Sequence, residues 1–106
     1  MLVDQRQTTR KIMRAKAMVV MDGMSPLPGR TLDISLTGLS LTLGNKLPIG
    51  QAGHVSFELF LDGKAQIITC RSNVSYCIFS GDDFKIGFQF VNLELSVLTT
   101  ITKFLR

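Results

Sequence analysis

The sequence predicts an all-β-dominated domain: a small antiparallel barrel or sandwich of about six strands, followed by one C-terminal α-helix. Three observations carry this reading. Apolar residues recur with period two through much of residues 17–90, as half-buried strands require. Turn signals at Asp22-Gly23, Asp62-Gly63 and Gly81-Asp82-Asp83 interrupt the alternation at spacings suited to short connections. From Asn92 onward the apolar period lengthens to about four, which is helical.

Taken in order, a first strand is expected over Ala15–Met21, ending at Asp22-Gly23, and residues 23–29, with two prolines, read as a loop. Arg30–Ser35 forms a second strand with Leu32 and Ile34 on the inward face and Asp33 and Ser35 on the opposite one. Thr37-Gly38 marks a turn or bulge, after which Leu39, Leu41 and Leu43 alternate with Ser40 and Thr42. Val55, Phe57, Leu59 and Leu61 make the next inward set, against His54, Ser56 and Glu58, and Asp62-Gly63 suits a type I′ hairpin turn. Over Ala65–Phe79 the residues Ile68, Cys70, Val74, Tyr76 and Ile78 share one parity. In the last strand Ile86, Phe88 and Phe90 face in while Lys85 and Gln89 face out. Asn92 is the expected N-cap of the helix, Glu94 sits in its first turn, and Leu93, Val97, Ile101 and Leu105 form a stripe to pack on the barrel.

The 106 residues, 45% of them hydrophobic, suffice for one domain with one core. Net charge is +4, concentrated in residues 6–16, where Arg6, Arg10, Lys11, Arg14 and Lys16 occur without an acid, so this segment attracts polyanions. The longest apolar run near the N-terminus, Ala17–Met21, falls far short of the roughly 20 residues that span a bilayer. No membrane insertion and a cytoplasmic address are therefore expected. Cys70 and Cys77 lack C-x-x-C spacing, and a single His leaves no zinc set, so both cysteines are read as reduced thiols and no metal or cofactor is expected. No Ser/His/Asp or Cys/His set has catalytic spacing; His54 reads as a surface residue and Asp82-Asp83 as a solvated turn. The chain reads as a binding protein, not an enzyme.

Two short motifs sharpen that reading. Arg6-Gln7-Thr8-Thr9-Arg10 places two arginines four apart, and Asp33-Ile34-Ser35-Leu36-Thr37-Gly38 supplies an acid, a hydroxyl and a glycine in the order D-x-S-x-x-G. Together they resemble the two-part signature of PilZ domains, and the run Lys85–Phe90, a glycine followed by alternating aromatics, resembles the family's last barrel strand. The resemblance covers nearly the whole chain. It implies a six-stranded antiparallel β-barrel with one C-terminal helix, in which residues 1–14 form a flexible arginine-containing arm, 15–91 the barrel and 92–106 the helix. It also implies binding of the bacterial second messenger cyclic di-GMP and transmission of the signal to an unidentified effector protein, by ordering of the arm.

Arg10 and Arg14 fit the arginine spacing as well, but Arg6 and Arg10 match the family's placement best, because Arg14 leads directly into the first strand. Lys11 and Arg14 are then auxiliary cations. The residue types suit the ligand. Arginine binds phosphate oxygens in bidentate fashion, pairs with guanine O6 and N7, and stacks on purines. Asp33 can accept from guanine N1–H and N2–H, Ser35 can serve a phosphate or an exocyclic amine, and Gly38 allows close backbone approach or a positive φ. Asp33-x-Ser35 before a glycine is also ordinary turn chemistry. Two rival readings are a small barrel binding RNA or single-stranded DNA through the basic arm, and a ligand-free interaction module of the same fold. Residues 1–16 contain no aromatic on which bases would stack, so nucleic acid is the weaker rival.

Overall fold

The computed structural model describes residues 9–106. Seven strands and one helix follow in chain order: β1 (Lys11–Ile12), β2 (Lys16–Met21), β3 (Leu27–Ile34), β4 (Gly38–Leu43), β5 (Ala52–Leu61), β6 (Lys64–Ser80), β7 (Asp83–Phe90) and α1 (Leu95–Leu105). All pairings are antiparallel. Strands β3, β2, β5, β6, β7 and β4 pair successively, and β4 pairs back onto β3, closing a six-stranded barrel. The short β1 is additional and shares one edge of β3 with β2: Lys11 and Ile12 face Ile34 and Asp33, while Lys16 through Val19 face Arg30 through Leu27.

Alternation builds the interior wherever the register is regular. Ala17, Val19 and Met21 of β2 point in, as do Val55, Phe57 and Leu59 of β5, and they meet Leu39, Leu41, Leu43, Ile86 and Phe88 in one core. Each large side chain that leaves water here contributes about 1.5–3 kcal/mol. Ile101 of α1 is fully buried in the same core, with Leu93, Val97 and Leu105 packed beside it, so the expected helical stripe is the packing face. Asp62 and Gly63 both have positive φ (54° and 76°), as a type I′ hairpin turn demands. Cys70 lies in the core, and burial pushes its thiol up to about 12, which keeps it inert. Among the described residues, no helix is long and apolar enough to cross a membrane.

Several boundaries and parities differ from the sequence reading. Strand pairing begins at Lys11, ahead of Ala15. Strand β3 starts at Leu27 instead of Arg30 and contains Pro28; pairing with β4 stops at Gly29, so Pro28 lies where that edge of β3 is open and a missing N–H is tolerated. A register shift between Thr31 and Asp33 puts Thr31 in the interior and leaves Leu32 half-buried outside the core. A second shift, between Val74 and Tyr76, turns Cys77 toward the core; Ile78 becomes 54% exposed and Tyr76 leaves the inward row. Leu61, expected inward, is half-buried at the end of its strand. Asn92 is not the helix cap: it has φ 51°, a left-handed conformation that asparagine tolerates, and Glu94 is the N-cap, without a side-chain cap bond.

Thr31 carries an unusual share of the polar bookkeeping. Its hydroxyl donates to the Met13 carbonyl and accepts from the Ala15 amide at 2.8 Å, and its own amide donates to the Ala15 carbonyl, also at 2.8 Å. The isosteric change Thr31→Val strands the buried Met13 carbonyl and the half-buried Ala15 amide and should lower stability by about 1–3 kcal/mol, read as a reduced urea midpoint at constant m-value. An unchanged midpoint would show that the segment between β1 and β2 repacks freely.

Candidate functional site

The end of β3 and the turn into β4 bring the second motif together. The Ser35 amide donates to the Gly38 carbonyl at 2.8 Å, while the Ser35 hydroxyl accepts from the amides of Thr37 (3.2 Å) and Gly38 (3.3 Å). It is a serine turn, in which the side chain takes over the role of a backbone acceptor. Ser35 is consequently fully buried, not directed outward as its parity suggested. Gly38 does not adopt positive φ; its requirement is steric, since a Cβ there would run into the carbonyl oxygen of Phe88 on β7.

Asp33 does face outward. The β1–β3 pairing sets Ile12 opposite Asp33, and two residues earlier on the same side Arg10 reaches back to it. Arg10 Nη2 and Nε donate to Asp33 Oδ1 at 2.9 and 3.3 Å, and the Ser40 hydroxyl donates to the same oxygen at 2.8 Å. Partial burial raises the Asp33 carboxyl, but the bonds from Arg10 and Ser40, with the nearby charges of Arg10 and Lys85, outweigh it and hold the group below its ordinary value. Asp33 is therefore an anion at neutral pH. Its hydrogen-bonding partners are an exposed guanidinium and a buried hydroxyl.

The remaining candidates sit differently. Lys11, the next residue along β1, projects away from Asp33 to the last turn of α1, where Nζ donates to the Phe104 carbonyl at 2.9 Å and lies 4.4 Å from the centre of the Phe104 ring. A cation at a helix C-terminus is stabilised by the dipole as well. Arg14 is exposed between β1 and β2. Arg6 lies outside the described residues.

Arg10, Thr37 and Gly38 also line a depression of about 200 Å³ whose other walls are Ser75 and Tyr76 of β6 and Gly87 and Gln89 of β7. Those four were not picked out as site residues in the sequence. Gly87 was visible in the Lys85–Phe90 run, whereas Tyr76 was assigned to the inward row because the β6 bulge leaves no local signal. A larger hollow, of about 310 Å³, lies on the opposite wall over Met18, Glu58 and Ile67, and is mainly apolar. The smaller one brings the Arg10 guanidinium and the Gly38 backbone together, with Asp33 bonded to Arg10 beside it.

Comparison with known proteins agrees with this architecture. The model of the PilZ domain family matches residues 4–106. The fold is similar to that of the Bacillus subtilis inhibitor of motility MotI/DgrA, with TM-score 0.84 and 12% identity over 97% of this chain and 50% of that one. It is similar also to Escherichia coli YcgR in complex with cyclic di-GMP (TM-score 0.75, 17% identity, 94% of this chain and 44% of that one). The isolated PilZ domain of YcgR with cyclic di-GMP gives TM-score 0.74 at 15% identity, over 96% of this chain and 89% of that one. The chain thus spans about half the length of the first two proteins. Comparison with curated proteins finds no match. A closed six-stranded barrel with the D-x-S-x-x-G turn at its rim, matched by the family model over residues 4–106, establishes that the chain belongs to the PilZ domain family.

Proposed function

We propose that this chain is a cyclic di-GMP receptor that binds its ligand without chemistry and passes the signal to an effector protein in the bacterial cytoplasm. The observation that carries the reading is the Arg10–Asp33 pair, in which one arginine of the first motif meets the acid of the second. Family membership supports it, as do the YcgR structures that hold cyclic di-GMP.

The pair works as a stored exchange. Arg10 and Asp33 satisfy each other without ligand, and both groups keep substantial exposure, 47% and 27%. An ion pair this open is worth about 0–1 kcal/mol. Hydrogen bonds to charged groups in a desolvated site are worth about 1.5–3 kcal/mol each, so a ligand with phosphodiesters and guanine edges outcompetes it. Arg10 then turns to a phosphate or to guanine O6 and N7, and the freed Asp33 accepts from guanine N1–H and N2–H. Arg6 supplies the second guanidinium and Arg14 an auxiliary charge. Ser35 acts mainly through the turn that exposes the Gly38 backbone, because its hydroxyl is committed there.

Relay follows from adjacency. Arg10 and Lys11 are consecutive, yet one engages the binding wall and the other the end of α1. Drawing Arg10 onto the ligand orders the arm and pulls on the Lys11–Phe104 tie, so the arm and the end of α1 together form the surface that an effector reads.

Isothermal titration with cyclic di-GMP, with GMP and cyclic di-AMP as controls, tests the reading. Selective heat is expected from the wild-type protein, and Arg10→Ala should weaken binding at least tenfold, about 1.4 kcal/mol, with the melting temperature nearly unchanged. Full binding by the variant would remove Arg10 from the site. Asp33→Ala should cost more affinity for cyclic di-GMP than for cyclic di-AMP; equal losses would mean that Asp33 does not read the base.

The pH dependence has a definite sign. The folded protein holds the Asp33 carboxyl below 3.8, so the stability it contributes is present above the unfolded value and is lost as pH falls through the folded one. Arg10→Ala removes two of the causes that lower it and leaves burial, which raises it. The Asp33 carboxyl titration followed by NMR should therefore move upward in Arg10→Ala, and an unmoved titration would show that Ser40 and Lys85 alone set it.

A further inference from the structure

Strand β6 has a neighbour on both sides over only part of its length. Its ladder to β5 runs from Lys64 to Asn73, whereas its ladder to β7 begins at Ser72. Backbone alternation decides which groups lie open below that point. The Val74 amide donates to the Gln51 carbonyl and the Val74 carbonyl accepts from Gly50, both on the β5 side, while the Arg71 carbonyl accepts from the Val91 amide on the β7 side. In steps of two back from Arg71, the N–H and C=O groups of Thr69, Ile67 and Ala65 therefore point away from β5. Among the described residues no strand pairs with them.

Open edges are normally blunted by a proline, a charge or a bulge. The stretch Ala65-Gln66-Ile67-Ile68-Thr69 has neither proline nor charge, and its ladder with β5 has no register shift. Ala65 and Thr69 are exposed, and Ile67 is 69% exposed. Beyond Thr69 the edge borders a hollow of about 370 Å³ between residues 69–71 and residues 92–94, so an incoming strand has room there. The lining of that hollow holds Arg71 and His54 against one acid, Glu94.

We infer that this edge of β6 pairs with the same edge of a second copy of the chain, antiparallel about a two-fold axis through Ile67. In that register Ile67 faces Ile67 and Ala65 faces Thr69, and each facing pair exchanges both of its N–H···O bonds. It is the register in which the open groups of residues 65, 67 and 69 are all used on both copies. The charges agree with it. Lys64 falls opposite Cys70, so no like charges meet, and the Asp62-Gly63 turn of each copy reaches Arg71 of the other at the hollow. Arg71 already holds Asp22 but keeps 40% of its side chain exposed. Neither Arg10, Asp33, Thr37 nor Gly38 borders this edge, so both candidate ligand sites stay open in the pair.

Sedimentation of the full chain without ligand, from micromolar to millimolar, should show a mass that rises reversibly from one chain to two, because an interface this short is weak. Ile67→Pro removes the central N–H, which has no partner in the single chain, and Ile67→Lys sets two like charges on the axis. Both variants should keep the mass of one chain throughout, with the wild-type melting temperature at low concentration; if Ile67→Pro fails to fold, Ile67→Lys decides. The two Cα atoms of residue 67 would lie about 5.5 Å apart, within disulfide reach. Ile67→Cys should therefore cross-link to itself under mild oxidation, whereas Gln66→Cys, opposite Ile68 of the other copy, should not. A wild-type chain that stays single up to millimolar overturns the pairing and leaves the edge to an extended segment of another protein. A dimer that survives Ile67→Lys, or that cross-links through residue 66 as readily as through 67, overturns it too, since another surface then joins the copies.

Discussion

The Thr31 hydroxyl, sealed inside the protein, joins the strand that closes the barrel to the segment that carries the arginines. It donates to the Met13 carbonyl and accepts from the Ala15 amide, so the chain leaving β1 and the chain entering β2 are fixed to one side chain of β3. Two strands can then share a single edge of β3, with an irregular step between them and no stranded polar group. The positions of Arg10 and Lys11 follow from that step. β1 has only two residues and buries little of its own, so its place on β3 depends on these bonds and on the pairing of Met13 with Leu32.

The site built on this frame is electrostatically cheap to open. Arg10 and Asp33 meet near solvent, where attraction is screened and the side-chain entropy of a fixed geometry offsets most of the gain. Ser40 is different. It is buried, and its bond to Asp33 Oδ1 holds the carboxylate from the barrel side, independently of Arg10. A fixed acceptor with a solvent-exposed donor is suited to exchange of the donor while the carboxylate stays in place. Lys11 is held by a carbonyl at a helix terminus and by an aromatic face, so consecutive residues tie the segment before β2 to the Asp33 wall and to the end of α1.

Most of the architecture was legible in the sequence because it depends on local alternation. Val55, Phe57 and Leu59, or Ala17, Val19 and Met21, point inward in strands of unbroken register, and period two is enough to find them. The helical stripe around Ile101 and the Asp62-Gly63 turn carry equally local signatures. What was hidden depends on register. One extra residue reverses the face of everything after it, so Leu32 and Ile78 were placed inside although the bulges put both outside the core. Ser35 was misplaced for a related reason: its parity points outward, but the turn recruits its hydroxyl. The motif itself was visible as a string, and the pairing of Arg10 with Asp33 was not, because it arises from strand neighbours far apart in sequence.

The two bulges are not scattered over the barrel. The β2–β5 and β5–β6 ladders run without a register shift, and both shifts fall on the strands that flank the candidate site, at Thr31/Asp33 on β3 and Val74/Tyr76 on β6. A bulge bends its strand and sharpens the local twist, which serves closure of a barrel, and each one here also re-aims a side chain: the first frees Asp33 from strict alternation with Thr31, and the second moves Tyr76 from the core row to the outer wall. Departures from local rules are expected where function outweighs regularity. Here they bracket one wall, and the strands between them, β4 and β7, pair without a shift and supply the short Ser40 and the bare Gly87.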